Sequence, residues 1–217
     1  MYYTVKQEGR DEFTVSRSRF ICRSKPVTAE DEAFSYLEQI RKEHWDASHN
    51  VWAYVLGASS SERCSDDGEP QGTAGFPVLD VIRKERLLDV VVVVTRYFGG
   101  IKLGAGGLVR AYAQGAKVAL DAGGIIQRRP YLSFKVTTDY TLAEKLKREF
   151  GNRGYIIKDI VYLDMVTLTV LIAPDEKESL YALTAEVTAG KADLIAGEEE
   201  YLDFDVPGST QKTTATS

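Results

Sequence analysis

Five consecutive valines, Val90–Val94, constrain this chain more than any other stretch. β-branched side chains crowd a helix and suit a pleated strand. Five in a row leave no polar face, so the strand from Leu87 to Thr95 must be covered on both sides. The next segment, Arg96-Tyr-Phe-Gly-Gly-Ile-Lys-Leu-Gly-Ala-Gly-Gly107, places Gly99, Gly100, Gly104, Gly106 and Gly107 within nine residues. A helix is expected from about Leu108 to Ala122, ended by Gly123-Gly124. Its small residues, Ala111, Ala113, Gly115, Ala116 and Ala119, permit close approach to a sheet. Arg110, Gln114 and Lys117 recur at i, i+4 and i+7 and form one polar stripe.

A buried strand, a glycine turn and a helix start together make an anion-binding corner. Glycine allows positive φ and close approach. The first N–H groups of the helix lack partners within it and face whatever sits there. Arg96 and Lys102 add full charges. The equal alternative is that the glycines only let the helix pack tightly on the sheet. Neither standard nucleotide motif is present. Gly99 and Gly104 have P-loop spacing, but Ala105-Gly106 follows instead of Lys-Ser/Thr. Gly104-Ala-Gly106-Gly-Leu-Val109 ends in valine where the dinucleotide pattern needs glycine.

Around this centre the chain reads as two sets of elements. The first holds a strand over Arg19–Val27, a helix from a Thr28 cap to about His44, and a strand over Asn50–Gly57. A loop spans Ser59–Gly75, and a short helix follows with Pro77 in its first turn. Arg128-Arg-Pro130 marks a boundary. Strand (Tyr131–Thr138), helix (Leu142–Phe150), strand (Tyr155–Tyr162), strand (Met165–Ala173), helix (Asp175–Thr188) and strand (Ala192–Phe204) then follow in the βαββαβ order of a ferredoxin-like unit. The fold class is therefore α+β, built as two-layer α/β sandwiches. Domains are expected at 1–128 and 130–205, with 206–217 a disordered polar tail.

Of 217 residues, 44% are hydrophobic and 27% charged, an ordinary globular composition. No apolar run is long enough for a bilayer span, and no signal-peptide pattern opens the chain, so a cytoplasmic location is expected. The net charge of -5 falls on residues 129–217, and the first half is neutral. That balance does not fit a polyelectrolyte gripping nucleic acid over its whole surface, so such contact requires a local patch.

Cys64-Ser-Asp-Asp-Gly-Glu-Pro-Gln-Gly-Thr-Ala-Gly75 brings Asp66, Asp67 and Glu69 within four residues. They could hold a divalent cation or share a proton, although Asp, Gly and Pro are also ordinary turn residues. The reading preferred here is that a carboxylate of this loop clamps Arg96 or the glycine loop. No metal or cofactor is expected. Two cysteines cannot form a four-ligand zinc site or a disulfide framework. His44 and His49 are the only histidines. A Cys64 nucleophile with His49 as base lacks an orienting third group. Cys22 reads as core, and Trp45, Trp52 and Tyr54 as packing residues.

Ser65-Asp-Asp-Gly-Glu-Pro-Gln-Gly-Thr-Ala-Gly75 together with Val92-Val-Val-Thr-Arg-Tyr-Phe-Gly-Gly-Ile-Lys-Leu-Gly-Ala-Gly-Gly-Leu-Val-Arg-Ala-Tyr112 resembles the signature of the YigZ/IMPACT family. The second half is similar to the ferredoxin-like domain appended in bacterial members. The resemblance implies a first domain like domain 2 of ribosomal protein S5. It also implies a second domain like domain V of elongation factor G. In eukaryotic relatives the first domain belongs to a regulator of translation under amino-acid starvation.

Two functions follow. One is a non-catalytic factor contacting the ribosome, RNA or a translation-regulatory stress protein through Arg96, Lys102, Arg110, Lys117 and the glycine loop. The other is an enzyme or sensor binding a phosphorylated small molecule at that loop, with a metal on Asp66, Asp67 or Glu69. A missing phosphate lysine and the absence of a nucleophile–base pair favour the first.

Overall fold

The valine run lies at the centre of an antiparallel sheet. In this computed structural model, which describes residues 1–206, the elements begin β1 (Tyr2–Val5), β2 (Gly9–Val15), β3 (Ser18–Pro26), α1 (Glu30–Glu43), β4 (His49–Leu56) and β5 (Ser61–Ser65). They continue α2 (Gly75–Lys84), β6 (Val90–Tyr97), α3 (Gly104–Gly123) and β7 (Ile125–Thr138). The last are α4 (Tyr140–Asn152), β8 (Ile156–Tyr162), β9 (Val166–Ile172), a 3-10 turn (Pro174–Glu176), α5 (Lys177–Thr188) and β10 (Asp193–Asp205). The polar tail expected from residue 206 lies, past Val206, outside the described residues.

The chain divides into two units, Met1–Arg128 together with the stretch from Asp203, and Arg129–Leu202. In the first, the strand order is β2-β3-β6-β4-β5. β6 pairs antiparallel on both sides, with Val92 opposite Ser24 on β3 and Ala53 on β4. All five valines are buried. Val90, Val92 and Val94 pack with Val78 and Ile82 of α2 and Ala116 and Leu120 of α3. Val91 and Val93 pack with Tyr36, Leu37 and Ile40 of α1 on the opposite face. The α+β class holds, and α1 supplies a third layer, as a strand without a polar face requires.

Four local readings differ from the sequence expectation. β7 begins at Ile125 rather than Tyr131 and runs unbroken through Arg128-Arg-Pro130, so that segment is continuous strand. β5 lies inside the segment read as a loop, because Ser-Glu-Arg-Cys-Ser carries no apolar alternation and forms an exposed edge strand. The α3 helix starts at Gly104 rather than Leu108, which puts three glycines in its first turn. Thr28 does not cap α1 with its side chain. Ala29 is the N-cap, and the Glu32 carboxylate instead accepts from the Thr28 N–H at 2.7 Å.

The second unit has the expected βαββαβ order. β10, β7, β9 and β8 lie side by side, which is the 4-1-3-2 strand order counted within the unit. Its helices α4 and α5 share a core of Phe134, Val136, Leu146, Phe150, Leu168, Val170 and Leu180. Asp139 caps α4 by accepting from the Leu142 N–H at 2.9 Å. No helix of the described residues is long and apolar enough to cross a membrane.

Candidate functional site

Each carboxylate of the acidic loop already has donors. Asp66 accepts from the N–H groups of Gly72 (2.8 Å), Ala74 (3.0 Å) and Gly75 (2.8 Å), so it anchors the start of α2. Asp67 sits at φ +45°. It accepts from the Asn50 N–H at 2.6 Å and from Arg41 at 3.3 Å. Glu69 is buried and accepts from Arg96 Nη1 at 2.6 Å and the Tyr112 hydroxyl at 2.7 Å. Burial, then Glu69, raises the Tyr112 pKa, which keeps its hydroxyl a donor. Among the described residues, no three His, Cys, Asp or Glu side chains gather as a metal site needs.

Arg96 is 4% exposed. Besides Glu69 it donates to Ser18 Oγ at 3.2 Å. Its guanidinium lies over the Phe20 ring on β3 and the Phe98 ring, 5.5 and 5.4 Å from the centroids. A buried ion pair of this kind ties the acidic loop, the end of β6 and α3 into one block. Arg96 is a clamp beneath the glycine loop.

The glycines divide by position. At Gly99 a Cβ would fall 1.9 Å from the Arg17 carbonyl oxygen, so only glycine lets this loop lie against the β2–β3 turn. Gly104 opens α3 at φ +70°, which disfavours other residues. Gly100 also has positive φ, and Gly106 and Gly107 complete the first turn of α3. That turn has no side-chain cap and no acidic residue. A cleft of about 430 Å³ runs beside it, lined by Val15, Ser16, Lys102, Gly107, Arg110 and Gln114. Lys102 and Arg110 are exposed, and neither has an ion-pair partner among the described residues. Lys117 does not join them, because it bridges Glu85 and Asp121 at 3.0 Å each.

His49 donates from Nδ1 to the Asp67 carbonyl at 2.8 Å. Cys64 pairs opposite Ala53, four residues further along β4 and about 13 Å away at strand rise, so the two do not form a dyad. Burial and Asp66 raise the Cys64 pKa, the reverse of thiol activation. Cys22 is core, and burial pushes its thiol up to about 12. Trp52 and Tyr54 stack in the core beneath α1. Trp45 does not pack. It is 83% exposed, because α1 ends at Glu43 and the sequence continues as a turn. Sequence reasoning also missed Phe98 and Arg17. An aromatic immediately before paired glycines, and an arginine between two serines, were the available signals.

Comparisons with known proteins bear on both units. The Impact N-terminal domain model matches residues 16–120. The family described as domain of unknown function DUF1949 matches residues 136–191. The chain is 41% identical over 203 residues to the IMPACT family member YvyE of Bacillus subtilis, covering 93% of this chain and 94% of that protein. It is 32% identical over 188 residues to the IMPACT family member YigZ of Escherichia coli, covering 85% and 92%. A crystal structure described as a hypothetical protein superposes with a TM-score of 0.58 at 31% identity, covering 91% of this chain and 97% of its own. By these matches across both units, the chain belongs to the IMPACT family.

Proposed function

We propose that this protein is a non-catalytic, translation-linked factor that contacts RNA phosphates, in the ribosome or an associated RNA, at the cleft beside the first turn of α3. The observation that carries the reading is the state of the charges. Lys102 and Arg110 are exposed and have no ion-pair partner among the described residues, beside helix N–H groups that no side chain caps, in a chain whose net charge is -5. The block formed by Arg96, Glu69 and Tyr112 holds that corner in place, so the binding geometry is fixed before contact. The family resemblance to a regulator of translation points the same way. A cytoplasmic location goes with this reading.

A second reading, a sensor of a phosphorylated small molecule, is favoured by the cleft volume, which lies in the range of small-ligand sites. The two separate by experiment. Ribosome co-sedimentation should be steeply salt-dependent and weakened in Lys102→Ala plus Arg110→Ala. Saturable thermal stabilisation by a nucleotide, without ribosome association, would instead support the sensor.

A further inference from the structure

We infer that the RNA taken at this corner is single-stranded, with an unpaired base stacked on the exposed face of Phe98 and a second on Trp45. The inference rests on the RNA reading above and specifies the nucleic-acid class.

Large aromatic rings are normally buried, yet Phe98 is 49% exposed and Trp45 is 83% exposed. The Phe98 ring is not loose. The Arg96 guanidinium underlies it at 5.4 Å, and that cation is fixed by Glu69 and Ser18. The ring is therefore a firm platform with one side open. Trp45 stands on the adjoining loop, because the Phe98 N–H donates to Ser48 Oγ at 3.1 Å and Tyr97 donates to Asp46 at 3.1 Å.

The cations on the Phe98 side, by Gly99 and the first turn of α3, complement a polyanion. Arg17, whose carbonyl lies against Gly99, has no ion-pair partner among the described residues, and neither do Lys102 and Arg110. Of the nearby acids, Glu12 is neutralised by Arg19 at 2.7 Å, whereas Asp46 accepts from the Tyr97 hydroxyl and keeps its charge next to Trp45, so the phosphate contacts fall on the Phe98 side. Aromatic platforms bordered by free cations suit single strands, whose bases present open faces to stack while phosphates meet the cations. A duplex keeps its bases stacked internally and offers nothing to Phe98.

The test is fluorescence anisotropy with a labelled single-stranded adenylate RNA 12-mer and a 12-base-pair RNA duplex. Wild type should bind the single strand at least about tenfold more tightly. Phe98→Ala should weaken single-strand binding about 5- to 100-fold and leave duplex binding unchanged, with Phe98→Trp restoring the loss. Trp45→Ala should show a smaller loss of the same kind. Undiminished single-strand binding by Phe98→Ala, failure of Phe98→Trp to restore it, or equal wild-type affinity for both RNAs overturns the inference. In any of these cases a loss of RNA binding in Lys102→Ala plus Arg110→Ala leaves the phosphate reading standing. If wild type binds neither RNA, both readings fall.

Discussion

Arg96 and Glu69 show how a residue that sequence assigns to ligand can belong to the scaffold. Their side chains are 5% and 4% exposed, and the charges meet at 2.6 Å. Breaking a buried pair leaves one charge without compensation, at a cost of about 3–5 kcal/mol. Chemical denaturation of Arg96→Ala should show a loss of that size. Tyr112→Phe should lose about 1.5–3 kcal/mol, since it removes one hydrogen bond to a charged acceptor. A change under 0.5 kcal/mol in both would return Arg96 to the surface. His44 gives a second residue-scale expectation. Its Nε2 lies 3.2 Å from Arg23 and 3.4 Å from Glu43 Oε1, and its Nδ1 lies 2.9 Å from the Tyr97 hydroxyl. Burial lowers its pKa below the ordinary 6.5, with Arg23 and Arg10 acting in the same direction against Glu43 and Asp46. The unfolded chain thus binds a proton that the folded one refuses. The stability this group contributes is full above pH 6.5 and falls as pH drops through the lowered folded value. Urea midpoints measured from pH 7 to pH 5 should decline in wild type and decline less in His44→Gln.

At the scale of elements, legibility followed apolar pattern. The valine strand, the small-residue helix, and β9 and α4 of the second unit announce themselves by periodicity because burial there is regular, whereas the largely exposed β8 and β10 are legible through their strand-forming residues and their place in the βαββαβ order. β5 was not legible, since an exposed edge strand needs no apolar face. The start of α3 was not legible either, because glycines that end a loop and glycines that open a helix look alike in sequence. Among the site residues, the acidic loop's clamp on Arg96 could be anticipated from opposite charges. Exposure of Trp45 and Phe98 could not, since it depends on where α1 and β6 stop. The loop between β6 and α3 is pinned by Gly99, so Gly99→Ala should displace the β2–β3 turn. The expected result is lower stability with increased amide exchange at Ser16–Ser18. Unchanged exchange there would mean the close approach to Arg17 is not a constraint.

At the scale of the entire chain, we propose that a protein of net charge -5 contacts RNA with a few cations that have no ion-pair partner among the described residues, held by a buried block that does not itself make contact. Binding of this kind depends on salt in proportion to the phosphates neutralised. Lys102 and Arg110 should count toward that number, whereas Lys117, already bridging Glu85 and Asp121, should not. The most direct measurement is the slope of log affinity against log salt for ribosome association in three proteins: wild type, Lys102→Ala plus Arg110→Ala, and Lys117→Ala. The double variant should lose about 1.4–2 units of slope for its two phosphate contacts, and Lys117→Ala should keep the wild-type slope. Equal slopes in all three proteins, or a loss confined to Lys117→Ala, would contradict the account.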